Sequence, residues 1–353
     1  MTRRIDVRVL TPFGAASGMG NWRTASRYAQ MLRSSGINAS VYEPIDILDA
    51  CLSSGQRTVA IVLNAARSHQ ELQAFVRAEI PVILVMTGTD LYGALDPAAE
   101  GSKRYAEAEA SLKAAALIVT LQTEAQQEIQ QRWPELSSRV HCIFQTSPQR
   151  KPYAPTVSAN SKTVRFLIAA HIREEKDPRT AFLAFHRAFP EGWATRSDGG
   201  RVPVRLIHVG SHQDRTLAQE LIHLGAQYPG ILLEGALTHA QTLRQISHVH
   251  ALIQSSVSEG GALVVPEALA CRCPVIASDI AAHRAQLGAN YAGLFPVGNV
   301  EVLAQHLVRF IADEDFSRSL RQSSLALAPR LTSPAHERDA LVRLVRQLAD
   351  AQA

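Results

Sequence analysis

Glu259 and Glu267, with seven residues between them, flank a glycine pair in the run Ser255-Ser256-Val257-Ser258-Glu259-Gly260-Gly261-Ala262-Leu263-Val264-Val265-Pro266-Glu267. A carboxylate holds a vicinal diol by accepting its hydroxyl hydrogens in pairs, and the glycines leave backbone donors open to a ligand beside it. Pro266 suits the first position of a helix, where its missing N–H does no harm. Glu267 then falls in that helix's first turn, so both carboxylates can face one cavity. Upstream, His171-Ile172-Arg173-Glu174-Glu175-Lys176-Asp177-Pro178 places Arg173 and Lys176 in a loop after a strand-like run. Two cations there can neutralise a diphosphate leaving group, whose charge grows as a glycosidic bond breaks. Surface pairing of the same cations with Glu174 and Glu175 is the alternative.

Three loops of the first half could also meet a ligand. Gly14, Gly18 and Gly20 lie in the segment Pro12–Thr24, ahead of a helical pattern. Such a loop can receive a phosphate or a sugar ring at the helix N-terminus, or be a plain glycine-rich turn. Gly18-Met19-Gly20 begins a dinucleotide-binding pattern, with Glu43 where a ribose-binding acid would sit. Arg23, however, stands where its third glycine belongs and would crowd helix against strand. Thr87-Gly88-Thr89-Asp90 can bind a sugar hydroxyl, or Asp90 can cap a helix. Arg67, after Asn64-Ala65-Ala66, stands at the same rim, as a ligand contact or a solvated side chain.

The elements that must hold these loops alternate from end to end. Strand-like runs are Ile5–Thr11, Asn38–Glu43, Thr58–Leu63, Pro81–Thr87, Ala116–Leu121 and Val140–Phe144, then Val164–Ala170, Val204–Val209, Ile231–Glu234, Ala251–Gln254, Val275–Ser278 and Leu294–Pro296. Several are apolar throughout, as parallel strands covered on both faces are. Helical patterns such as Trp22–Ser35 and Ser102–Ala115 lie between them. Strand–helix alternation twice over predicts two doubly wound α/β domains, with ligands at the carboxyl ends of the strands. The Pro-rich, polar stretch beginning at Ser147 reads as a linker. The expected division is 1–150, a linker at 151–162, 163–333 and an amphipathic helix at 334–353. Glu191–Arg201, with Gly192, Gly199 and Gly200, reads as a surface loop.

Composition removes several classes. Among 353 residues, 46% are hydrophobic and 19% charged, enough apolar material for two cores. The net charge of +4 is spread without a basic tract, which argues against a nucleic-acid partner and suits an anionic small substrate. Met1-Thr2-Arg3-Arg4 runs straight into a strand pattern, so no secretory signal is expected. No apolar stretch is long enough to span a membrane. The four cysteines lack CxxC spacing and read as small packing residues. No cluster of Asp and His suggests a metal. A cytoplasmic location with no metal and no cofactor is the expectation.

With these residues in view, a resemblance is evident. Glu259 and Glu267, within "SEGGALVVPEALACRCPVIAS", resemble the E-x7-E motif of family 4 retaining-type GT-B glycosyltransferases. The resemblance implies a GT-B fold of two Rossmann-like domains facing across a cleft. It implies that Glu267 holds the ribose of the nucleotide and Glu259 stands by the transferred sugar. The implied donor-binding set is Gly18, Gly20, Asn21, His171, Ser256, Gly260, Gly261, Ala262 and Glu267, with Lys176, Arg173 and Glu259 catalytic. That family usually carries arginine five residues before the lysine; His171 stands there, so the phosphate contact falls to His171 or Arg173.

A narrower pattern, "GNWRTA", "TGTDLY", "HIREEKDP", "EGGALVVPEAL" and "LGANYAGLFPVGN", is similar to the selenosugar synthases of selenoneine biosynthesis. It runs from about Ile5 to Ala326. This implies transfer of the sugar of UDP-N-acetylglucosamine (or UDP-glucose) to selenophosphate, giving UDP and, after phosphate loss, a 1-selenosugar. Other enzymes of that pathway are the implied protein partners. Arg23, Thr24, Arg67, Thr87, Thr89 and Asp90 form the expected acceptor side. Asn64 departs from the histidine expected in that subfamily. Domain closure would bring the reactants together and exclude water. A conventional family 4 enzyme with a hydroxyl acceptor is the alternative.

Overall fold

The computed structural model describes residues 4–14, 20–44, 57–151, 153–158 and 160–352. Gly18 and Cys51 lie outside them. The chain divides into two compact units, Met1–Gln145 with Pro334–Ala353, and Thr146–Ser333.

The first unit runs β1 (Ile5–Leu10), α1 (Gly20–Ser34), β2 (Asn38–Tyr42), β3 (Arg57–Leu63), α2 (His69–Arg77), β4 (Val82–Val85), α3 (Lys103–Ala114), β5 (Leu117–Thr120), α4 (Thr123–Arg132) and β6 (Val140–Cys142). All pairings in its sheet are parallel, in the order β2-β1-β3-β4-β5-β6. The sheet is covered on both faces, which is why β3 and β4 are almost continuously apolar. α1 buries Ala25, Tyr28, Ala29 and Leu32, a stripe of helical period. These pack with Val7, Val9 and Ile61 on one face, while Phe75, Leu112 and Ile129 close the other.

The second unit runs β7 (Val164–Ala169), α5 (Pro178–Ala188), β8 (Trp193–Thr195), β9 (Arg201–Val209), α6 (Arg215–Gln227), β10 (Ile231–Gly235), α7 (His239–Ile246), β11 (Ala251–Gln254), α8 (Val264–Ala270), β12 (Val275–Ser278), α9 (Ala281–Leu287), β13 (Leu294–Phe295), α10 (Val300–Ala312) and α11 (Glu314–Leu331). Its parallel order is β10-β9-β7-β11-β12-β13. From β7 the chain winds outward to β10, then returns to lay β11 on the other side of β7. That reversal is a topological switch point, where α/β sheets bind ligands. In the first unit the equivalent reversal lies between β1 and β3.

Two sequence expectations need correction. Glu191–Arg201 is not a plain surface loop: β8 pairs antiparallel with the start of β9, Trp193 opposite Pro203 and Thr195 opposite Arg201. Gly199, at φ +81, makes the intervening turn, a conformation that costs glycine little. Pro266 is also not the first residue of its helix, because α8 begins at Val264. It still lies in the first turn, where an amide hydrogen has no helical partner.

The last helix, α12 (Pro334–Asp350), belongs to the first unit. Leu341 and Val345 pack with α1 and the sheet. Glu337 Oε2 takes a 2.6 Å bond from Arg27 of α1, and its side chain is fully buried. Arg57 at the start of β3 donates to the Ala349 carbonyl at 2.9 Å. Among the described residues, no helix is long and apolar enough to cross a membrane.

Candidate active site

Two adjacent strands present the residues that the sequence singles out in the second unit. β7 and β11 pair in parallel, with Ala251 beside Phe166, so the loops that follow them leave the sheet side by side. After β7, Glu174–Lys176 form a single 3-10 turn. Asp177, with φ +41, ends that turn and caps α5 by accepting from the Thr180 N–H at 3.2 Å. The two loops are stitched together. Val257 N–H donates to the Glu175 carbonyl at 2.9 Å, and Ser255 Oγ donates to the carbonyl of Asp177 at 2.7 Å.

This stitching brings Lys176 to Glu259. The ammonium donates to Glu259 Oε1, and the side chains keep 15% and 10% of their exposure. The same oxygen accepts from Ser256 Oγ at 2.8 Å and from Gln254 Nε2 at 3.4 Å. Burial pushes the Glu259 carboxyl up, but the Lys176 charge and these hydrogen bonds outweigh it and hold the pKa below the ordinary carboxylate range. Glu259 is therefore an anion at neutral pH. Gly260 and Gly261 continue the loop, and Ala262 is buried.

Glu267 is placed differently. It lies in the first turn of α8 and is 2% exposed. Its Oε1 lies 2.8 Å from Nε2 of His239, the first residue of α7. A carboxylate only accepts, so His239 Nε2 carries the hydrogen. His171 and Arg173, the two residues expected at a phosphate, each keep a ring or guanidinium N–H able to donate. His171 Nδ1 accepts from the Ser211 N–H at 3.1 Å, which puts the ring hydrogen on Nε2. Arg173 Nε is buried and meets no hydrogen-bond partner among the described residues.

The first-unit residues form a second cluster. Gly20 and Asn21 open α1, and Arg23 lies half-buried along it. Asn64 takes the left-handed conformation, φ 72, which asparagine tolerates better than most residues. Its amide donates to Thr87 Oγ1 at 2.9 Å and Thr89 Oγ1 at 3.0 Å, while its oxygen accepts from the Arg67 N–H at 3.0 Å. The Arg67 guanidinium lies over the Phe13 ring, 5.1 Å from its centre. Asn64 thus draws Arg67, Thr87 and Thr89 together.

Two expected acceptor contacts point inward instead. Asp90 is fully buried and accepts from the N–H groups of Ala65, Thr87, Gly88 and Leu91. Burial pushes its carboxyl up against the opposing pull of those backbone donors. Its carboxylate builds the loop rather than offering itself to a ligand. Thr24 is likewise buried, and its hydroxyl accepts from Gln145 Nε2 at 2.8 Å.

Sequence reasoning missed Gln254, His239, Ser211 and Ser278, as well as His283 in α9. Apart from Ser278, the last residue of the quoted motif segment, they lie outside the motifs, and His239 stands 28 positions from the glutamate it contacts. A polar residue in the first turn of a helix that follows a strand is the local signal that His239 and His283 offered.

Known proteins resemble this chain in a family model and in fold. Residues 162–313 match the family model described as Glycosyl transferases group 1. Sucrose-phosphate synthase from Thermosynechococcus elongatus superposes with a TM-score of 0.76 at 16% identity, covering 99% of this chain and 100% of that one. HepE of Anabaena, solved in complex with UDP-glucose, gives 0.69 at 14% identity over 98% of this chain and 99% of that one. The pneumococcal O-GlcNAc transferase GtfA, in complex with UDP and GlcNAc, gives 0.59 at 16% identity over 83% of this chain and 57% of that one. The chain has the GT-B fold, and the greater part of its second unit matches the Glycosyl transferases group 1 family.

Proposed function

We propose that the chain is a glycosyltransferase that takes the sugar of UDP-N-acetylglucosamine or UDP-glucose and joins it to selenophosphate. The observation that carries the donor half is the Lys176–Glu259 pair, with Glu267 at E-x7-E spacing from Glu259, within the segment that matches the family. Neighbours of the same fold were solved with UDP-glucose and with UDP and GlcNAc. The acceptor half rests on the sequence motifs shared with selenosugar synthases, from "GNWRTA" to "LGANYAGLFPVGN".

In this reading Glu267 binds the ribose and Glu259 a hydroxyl of the transferred sugar. Lys176, with Arg173 and His171, bears on the diphosphate. Selenium attacks the anomeric carbon, and the bond to the UDP oxygen breaks with its electron pair going to UDP. Hydrolysis of the P–Se bond then leaves phosphate and a 1-selenosugar. Selenophosphate is already an anionic, polarisable nucleophile, so no general base is required. Arg23 and Arg67 attract the acceptor in the first unit. Cations supply the electrostatic stabilisation a metal would otherwise give, so the reaction is expected to proceed in EDTA.

The test is mass spectrometry of products from UDP-N-acetylglucosamine mixed in turn with selenophosphate, thiophosphate, phosphate and simple sugars. UDP released together with a selenium-bearing hexosamine supports the full reading. UDP released only with a sugar acceptor refutes the selenium half and keeps the glycosyltransferase half.

A further inference from the structure

Glu259 is held from beneath by a helix outside the motifs. α9 follows β12 directly, and its His283 is 0% exposed. The ring Nδ1 lies 2.8 Å from the Ser278 backbone oxygen and 3.3 Å from Ser278 Oγ. A carbonyl oxygen only accepts, so Nδ1 carries the hydrogen and Nε2 keeps a lone pair. Ser278 Oγ donates in turn to the Ser256 carbonyl, and the Ser256 hydroxyl donates to Glu259 Oε1 at 2.8 Å. One turn along α9, Gln286 Nε2 donates to the Ala262 carbonyl at 3.3 Å. α9 therefore reaches the Glu259 loop directly at Ala262 and, through Ser278 of β12, at Ser256.

Packing alone does not account for the ring. Nε2 is buried and meets no hydrogen-bond partner among the described residues, a costly arrangement that an apolar side chain of similar size would avoid. Burial lowers the ring's pKa against the opposing pull of the Glu259 charge. The side chain is therefore neutral, and Lys176 remains the cation that faces Glu259.

We propose that His283 is a positioning residue: through Ser278 and Ser256 it fixes the orientation in which Glu259 meets the transferred sugar. This rests on the functional reading above, in which Glu259 serves the sugar and Glu267 the nucleotide. Loss of His283 should then leave UDP binding in place and impair transfer, since misplacement of a positioned group by an ångström costs about 10²-fold in rate.

The experiment compares His283→Ala, His283→Asn and His283→Gln by calorimetry with UDP, by kcat/KM for UDP-sugar consumption, and by Tm. The asparagine amide can take the place of Nδ1, whereas the glutamine amide reaches toward Nε2. Expected are UDP affinity within about twofold of the parent for all three, kcat/KM down about 10²-fold for alanine and glutamine, and substantial recovery for asparagine. The proposal is overturned if alanine keeps the parent kcat/KM, if glutamine recovers activity and asparagine does not, or if UDP affinity and Tm fall with the rate in every variant. A parent protein that binds no UDP refutes the functional reading itself, and this proposal with it. Normal UDP binding with any of the three overturning patterns refutes the role of His283 alone.

Discussion

Lys176 Nζ donates to Glu259 Oε1, tying the loop after β7 to the loop after β11 with an ion pair nearly withdrawn from solvent. Such a pair is poor evidence of stability as a whole, yet costly to break from one side, because the remaining charge is left uncompensated. Lys176→Met should therefore lower both Tm and turnover. Loss of one preorganised electrostatic group at a reacting centre typically costs about 10²–10³-fold in kcat. Steady-state kinetics and a thermal melt check this together. A variant that melts early but turns over normally would make the pair purely structural.

Glu267→Ala should weaken UDP binding by about 10- to 100-fold, the worth of hydrogen bonds to a charged acceptor. His239→Ala removes the 2.8 Å contact to the same carboxylate and should have a smaller effect of the same sign. Calorimetric titration with UDP distinguishes them. An alanine variant that binds UDP like the parent removes Glu267 from the ribose.

Asp90→Ala should destabilise the first unit by about 3 kcal/mol or more, since it orphans the buried N–H groups of Ala65, Thr87, Gly88 and Leu91. Asp90→Asn keeps an acceptor oxygen and should cost less. UDP affinity should not change, because Glu267, the proposed ribose contact, lies in the other unit. Denaturant titration is the measure; full stability with weakened acceptor use would return Asp90 to the ligand.

His208 and His250 are both buried, and burial pulls each pKa from the ordinary 6.5 down to about 4. Both are neutral in the folded chain at pH 5, whereas the unfolded chain binds protons there. Their contribution is complete above about pH 6.5 and is lost as the pH falls toward 4, by roughly 3 kcal/mol for each. Melting temperature should decline across that window. His208→Leu, beside Phe182, should flatten the decline. An equally steep fall in that variant would rule His208 out as the cause.

What could be read from the sequence follows the physics of each part. β3 and β4 are legible because strands buried on both faces must be apolar throughout. β8 is not, because three residues among glycines carry too little pattern to stand against turn signals. Glu259, Glu267 and Lys176 are legible because they share compact motifs. Asn64 announced only a departure, and its left-handed backbone and bonds to Thr87 and Thr89 depend on β4 lying alongside. His239 and His283 are invisible for a related reason: their roles come from parallel strands that place distant turns together, a relation that spacing does not encode.

Because α12 returns to the first unit, that unit is made of two stretches of chain, and the second is an insertion between Gln145 and Pro334. The insertion closes on itself, with the Ser147 N–H donating to the Leu331 carbonyl at 3.0 Å. During synthesis it can finish folding while its host still lacks Glu337, the buried partner of Arg27. The amino-terminal unit cannot bury the face that α12 covers until residues 334–350 have been made. A nascent chain stalled before residue 334 would therefore carry the whole insert but lack the helix that completes its host.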